Sequence, residues 1–162
     1  NLFFIIMTLT FTFLGAENWY SYTDNVMGGK SELVAKVNED NSITLKGDVT
    51  TENNGGFIQF RAQLSYKLKD ESNGIKLTVR GNNKDYFVHI RTSGSVLPWQ
   101  YYGKKFLATE NWSEVELKFS DFKKSSSFMR KNFKPSSVRT IGIVAYGRDH
   151  KAQIDVSEIK LF

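Results

Sequence analysis

Cysteine is absent from the 162 residues, so disulfides and thiolate metal sites are excluded. The compartment stays open, because many proteins of every compartment lack the residue. Histidine and proline occur only twice each. His89 and His150 show neither H-x-H nor H-E-x-x-H spacing, which removes the common zinc signatures. No nucleophile elbow surrounds any serine. No stretch carries a helical apolar stripe for more than a turn or two, which argues against a helix bundle. No repeat, linker or low-complexity tract divides the chain, and its length suits one domain. The net charge of +5 is moderate. An acidic partner or a membrane surface would produce it, and so would an ordinary solvated surface.

What is abundant is aromatic and alternating. Hydrophobic residues make up 40% and aromatics 14%, with Phe 13 and Tyr 7, a profile that fits pleated surfaces. Apolar side chains recur with period two. "GFIQFRAQL" sets Ile58, Phe60, Ala62 and Leu64 against Gln59, Arg61 and Gln63, and "GIKLTVRG" sets Ile75, Leu77 and Val79 against Lys76, Thr78 and Arg80. "DYFVHIRT" opposes Tyr86, Val88 and Ile90 to Phe87, His89 and Arg91, and "RTIGIVAYG" aligns Ile141, Ile143 and Ala145. In "AQIDVSEIKLF" the alternation changes phase after Val156, which predicts a β-bulge near Ser157 and Glu158. Asn/Gly/Asp clusters separate the runs. Eight or more short strands joined by such turns predict an all-β fold, an antiparallel β-sandwich or jelly roll. The basic stretch Lys123–Ser137 reads as a mobile surface loop, and Trp19 and Trp112 as core residues.

The opening run "NLFFIIMTLTFTFLGA" is uncharged and mostly apolar. Residues 1–16 read as a signal peptide or hydrophobic leader, with a first strand as the alternative, and residues 17–162 as the single domain. A signal would make the protein exported, periplasmic or membrane-associated; without one it would be cytoplasmic.

"DNVMGGKSE", Asp24 to Glu32, contains the Gly-Lys-Ser tail of a phosphate loop. Asp24 stands where that loop needs its first glycine, and its carboxylate would repel phosphate. "ELVAKV" follows as a strand, leaving no helix N-terminus to hold an anion. A tight turn is the better reading of Gly28 and Gly29, with Asp24 bonding backbone amides beside the second glycine pair of "ENNGGF".

Together "TDNVMGGKSE" and "TTENNGGFIQFR" resemble signature segments of the complex I intermediate-associated protein 30 family. "VRGNNKDYFVHIRT", "FLATENWSEVELKFSDF" and "SSVRTIGIVAYGRDHKAQIDVSEIKLF" resemble its later segments, in the same order. The resemblance spans about Trp19 to Phe162. It implies a galactose-binding-like jelly roll, and a structural signature made of Asp24, Met27, Gly28, Gly29, Ser31, Asn53, Asn54, Gly55, Gly56 and Phe57. It also implies a non-enzymatic binding or assembly module, because the family's mitochondrial members assemble respiratory complex I.

Candidate contact residues project opposite the apolar rows. If their strands are neighbours, Gln59, Arg61, Lys76, Thr78, Arg80, Phe87, His89 and Arg91 form one basic face with an embedded aromatic, suited to an acidic partner or a polar ligand. Trp99, Tyr101 and Tyr102 in "LPWQYYG" would stack on a sugar or seat a partner. The ligand or partner set is therefore Gln59, Arg61, Arg80, His89, Arg91, Trp99 and Tyr101, with ordinary solvation or packing as the competing reading for each. Asp24 and Glu52 would serve calcium less readily than they would cap turns. No cofactor, no metal and no nucleic acid is expected, and the chain is expected to be a monomer. The leading function is protein assembly, the partner being a membrane complex or its subunits. The alternative is a polysaccharide-binding module of an exported protein, and a hydrolase ranks third.

Overall fold

The computed structural model describes residues 10–11, 19–23, 31–40, 42–52 and 56–162. Among them are twelve strands and no α-helix. In chain order the strands are β1 (Thr10–Phe11), β2 (Trp19–Thr23), β3 (Glu32–Val37), β4 (Ile43–Val49), β5 (Phe57–Gln63) and β6 (Gly74–Arg80). They continue as β7 (Lys84–Thr92), β8 (Tyr102–Ala108), β9 (Ser113–Lys118), β10 (Lys123–Lys124), β11 (Val138–Tyr146) and β12 (His150–Leu161).

Two antiparallel sheets result. The first runs β3-β4-β12-β6-β9, with β1 added to β12 at Ile159 and Lys160. The second runs β10-β8-β7-β11-β5-β2. The predicted sandwich is therefore present. So is the bulge: the β12–β6 register slips between Val156 and Glu158, the position of the phase change in the sequence.

Alternation places the core between the sheets. Ile43, Leu45, Ile75, Leu77, Ile154 and Ile159 from the first sheet meet Ile58, Phe60, Tyr86, Ile90, Ile141 and Ile143 from the second, all essentially inaccessible to water. Each such side chain contributes about 1.5–3 kcal/mol by leaving water. Tyr86 brings a phenol into this interior, where an unpaired hydroxyl would be costly. Its oxygen accepts a hydrogen bond from Gln153 N at 2.8 Å and donates to Asn82 Oδ1 at 2.6 Å, so β7 is tied to β12 across the sandwich.

Two expectations are corrected. Residues 123–137 are fastened, not loose. Phe133 turns inward against Tyr102, Phe119 and Phe122, with ring centroids 4.8, 5.3 and 6.2 Å away. The Tyr102 hydroxyl donates to Arg130 O at 2.6 Å, and Ser136 N donates to Asp70 Oδ1 at 2.9 Å. One half-buried aromatic packed against the core outweighs the polar composition of the stretch. Trp112 is likewise not core: it is 39% exposed, with the Arg80 guanidinium 4.6 Å above its ring. The Trp19 side chain lies outside the described residues.

Candidate functional site

The second sheet buries one face and displays the other. On the displayed face, register aligns Gly103, His89, Gly142 and Arg61 across β8, β7, β11 and β5. The next aligned set is Lys105, Phe87, Val144 and Gln59, of which Val144 and Gln59 are buried. Beyond Val144, Tyr146 lies opposite Phe57. Gly103 and Gly142 flank His89 and leave room for larger neighbours. A Cβ at Gly142 would come within 2.8 Å of Gln59 Oε1, and one at Gly103 within 3.4 Å of both His89 and Tyr101.

Into this space pack four rings. His89 stacks on Tyr101 with centroids 3.8 Å apart and planes inclined by 15°. Tyr146 meets Phe87 at 4.4 Å and approaches His89 edge-on at 5.5 Å. All four rings are half-buried. Beside them Arg61 Nε donates to Gln59 Oε1 at 3.1 Å.

The setting keeps His89 uncharged. Burial, and then the nearby Arg61 cation, push its pKa down to about 3. Its Nε2 is buried and has no hydrogen-bond partner among the described residues. Burial, together with the hydroxyl of Tyr146, raises Tyr101 to about 12, so its phenol keeps its proton. The face thus offers aromatic rings, a neutral imidazole, phenols and a guanidinium, the last held by the buried Gln59 amide. Such a set recognises a polar ligand through stacking and directed hydrogen bonds.

The predicted residues divide. Gln59, Arg61 and His89 share the displayed face, and Tyr101, just before β8, stacks onto it. Arg91 belongs to the same strand but is engaged with its own loop: its guanidinium donates to Ser95 O at 2.8 Å and Leu97 O at 3.2 Å. Trp99 lies in that loop, 61% exposed and outside the ring cluster. Arg80, with Lys76 and Thr78, is on β6 in the first sheet, so the single basic face expected from all eight residues does not form. Its guanidinium pairs instead with Asp155 at 2.8 Å. Tyr146 was missed, although it follows the core row Ile141, Ile143 and Ala145 in the opposite phase, which was the available signal. Among the described residues no group of three His, Asp or Glu lies close enough to hold a metal ion.

Of the signature residues, Asp24, Met27, Gly28, Gly29, Asn53, Asn54 and Gly55 lie outside the described residues. So does the expected contact of Asp24 with backbone amides. Ser31 is buried; its Oγ accepts from Thr50 N at 3.0 Å and donates to Thr50 O at 3.3 Å. Gly56 has φ +127°, a conformation that side chains with a Cβ rarely adopt, and its carbonyl accepts from Gly147 N at 2.9 Å. Asp149 closes the same junction by accepting from Thr51 N and Oγ1 at 2.7 and 2.9 Å. Phe57 then begins β5. Gly56 and Gly147 thus join the adjoining ends of β5 and β11 in the second sheet, while Ser31 bridges the ends of β3 and β4 in the first.

Compared with known proteins, the family described as Complex I intermediate-associated protein 30 (CIA30) matches residues 11–156. No curated protein sequence matches significantly. Among solved structures, the fold is similar to the family 11 carbohydrate-binding module from Clostridium thermocellum in complex with a β-1,3-1,4-mixed-linked tetrasaccharide. That similarity has a TM-score of 0.75 at 16% identity, over 93% of this chain and 92% of that one. The family 11 module of the cellulosomal cellulase Lic26A-Cel5E of the same organism gives 0.70 at 16%, over 93% and 91%. A family 30 carbohydrate-binding module gives 0.61 at 15%, over 88% and 92%. At these identities the likeness is one of fold.

Proposed function

This chain belongs to the complex I intermediate-associated protein 30 family, and from that premise we propose that it is a non-catalytic binding module whose ligand face is the displayed face of the second sheet. The observation that carries the reading is the ring cluster His89, Tyr101, Tyr146 and Phe87 beside Arg61, whose guanidinium the buried Gln59 amide holds in place. Flat rings next to fixed hydrogen-bonding groups suit a polysaccharide, whose sugar rings have apolar faces and hydroxylated edges. Fold similarity to a module solved with a bound tetrasaccharide supports that choice of ligand. The test is affinity electrophoresis of the full chain through gels containing soluble polysaccharides, mixed-linked glucan among them. Retardation is expected, weakened about tenfold by Tyr146→Ala or Arg61→Ala and unchanged by Arg80→Ala on the other sheet. Absence of retardation by every polysaccharide, or retardation indifferent to Tyr146 and Arg61, overturns the glycan reading.

Family membership favours a second reading, assembly of a protein complex, in which the same face or its rim holds a protein client. Co-purification of a membrane complex or its subunits with the tagged chain, lost on Tyr146→Ala, would establish that reading in place of the first.

A further inference from the structure

A second surface has a different character. The β7–β8 loop and the segment after β10 lie side by side, joined by Ser125. Its Oγ donates to Trp99 O at 2.6 Å and accepts from Tyr101 N at 2.9 Å, while its own N donates to Tyr101 O at 2.8 Å. Both backbones are held by groups other than their apolar tips. Arg91 binds the carbonyls of Ser95 and Leu97, Gln100 Oε1 accepts from Val96 N and Leu97 N at 3.0 Å each, and Phe133 anchors the second segment in the core. The tips themselves face water: Phe128 is 94% exposed, Val96 80%, Trp99 61% and Leu97 41%. Large apolar side chains displayed together on a fixed frame indicate a contact surface.

The charges around these tips say what kind of contact. From Phe122 to Arg139 the chain carries Lys123, Lys124, Arg130, Lys131, Lys134 and Arg139 and no acidic residue. Lys124 is spent on the carbonyls of Ser127 and Met129. Arg130 and Lys134 line a cleft of about 700 Å³ between the loops, together with Thr92, Ser93, Gln100 and Phe128. Asp70 lies near Lys134 and accepts from Ser136 N, and Asp121 immediately precedes the stretch. Lysine is depleted at the centres of protein interfaces. Cations beside an exposed Phe, on a segment tied to the loop that carries Trp99, match the headgroup layer of an anionic membrane, where indoles settle at the interface and ammonium groups meet phosphates.

We propose that the loops 93–100 and 125–134 form a docking surface for an anionic lipid bilayer, with Trp99, Phe128, Val96 and Leu97 entering the interface and Arg130, Lys131 and Lys134 contacting phosphate headgroups. Its side chains are other than those of the ring cluster, although the Tyr101 backbone joins the two through Ser125, so substitutions at Trp99, Phe128, Arg130 and Lys131 test it apart from the glycan reading.

The experiment is co-sedimentation of the full chain with vesicles of phosphatidylcholine alone, or of phosphatidylcholine with about one-third phosphatidylserine. Binding to the anionic vesicles only is expected, falling steeply with salt. Arg130→Ala with Lys131→Ala is expected to weaken it by roughly tenfold or more. Trp99→Ala with Phe128→Ala is expected to abolish it; both side chains are exposed, and an unchanged circular dichroism spectrum verifies the fold. Trp99 emission should shift to the blue on anionic vesicles, a shift missing from Trp99→Phe. Failure to bind anionic vesicles overturns the proposal, and so does binding that survives the Trp99/Phe128 double substitution. Should that substitution instead abolish a complex with another protein while vesicles stay unbound, the surface is a protein interface and the lipid proposal falls.

Discussion

The imidazole of His89 lies flat against the ring of Tyr101, centroids 3.8 Å apart, while Arg61 lies near enough to disfavour a second positive charge. Stacking and burial select the neutral ring. A ring kept neutral in the folded chain but free to protonate when unfolded links stability to pH.

The sign follows from proton counting. Below pH 6.5 the unfolded chain takes up a proton at His89 and the folded chain does not, until the pH approaches about 3. Stability therefore falls on acidification through that window, by up to about 1.4 kcal/mol per pH unit from this residue. His150, lowered mainly by its own burial, acts in the same direction. The carboxylates of Asp40, Asp70 and Asp149, whose pKa values hydrogen bonds lower, stabilise the folded chain above 3.8 and lose that effect below it. Urea unfolding from pH 7 to 4.5 should show His89→Phe losing much of the slope that the unsubstituted chain displays. An identical slope in both proteins would contradict a buried neutral imidazole.

How much of this was legible in the sequence depends on the range of the information. Alternation is local, so the faces of β5, β6, β7 and β11 could be read residue by residue, and the phase change at Ser157 announced the bulge. Which strands adjoin is not local. Arg61 and Arg80 carry the same pattern and the same charge, yet β5 and β6 belong to different sheets. Trp112 and Phe133 show the same limit. Trp112 was read as core from its alternation and the stretch around Phe133 as a loop from its composition, whereas the partner decides each place: Arg80 covers the tryptophan at the surface, and the Phe119, Phe122 and Tyr102 rings draw the phenylalanine in. Tyr101 was picked for its neighbours in sequence, and its partner His89 stands on the adjacent strand.

Arg80 and Asp155 provide a control surface on the opposite sheet. Arg80 is half exposed, so removing it by Arg80→Ala should cost less than about 1 kcal/mol. Asp155 is better buried and also accepts from Thr44 Oγ1 at 2.5 Å, a hydroxyl that in turn accepts from Asn38 Nδ2 at 2.7 Å. Asp155→Ala strands that chain of donors and should cost about 2 kcal/mol. Thermal unfolding should rank the two variants in that order, and neither should alter retardation by polysaccharide. Loss of binding in Arg80→Ala would place the ligand on the first sheet.

Phe133 makes the last prediction, because it separates fastening from mere coverage. Its ring lies among Tyr102, Phe119 and Phe122, and the backbone around it presents Phe128 and Arg130. Phe133→Ala removes a half-buried ring from a packed aromatic cluster, at a cost of about 2–3 kcal/mol, which should lower the Tm by several degrees. The local consequence is more telling. With the anchor gone, amide hydrogens of residues 125–134 should exchange faster by one to two orders of magnitude, while β5, β7 and β11 change only as much as global stability does. Phe133→Leu, which keeps an apolar plug, should restore most of that protection. Uniform acceleration across the chain would mean that Phe133 supports the whole sandwich equally and that the segment needs no anchor of its own.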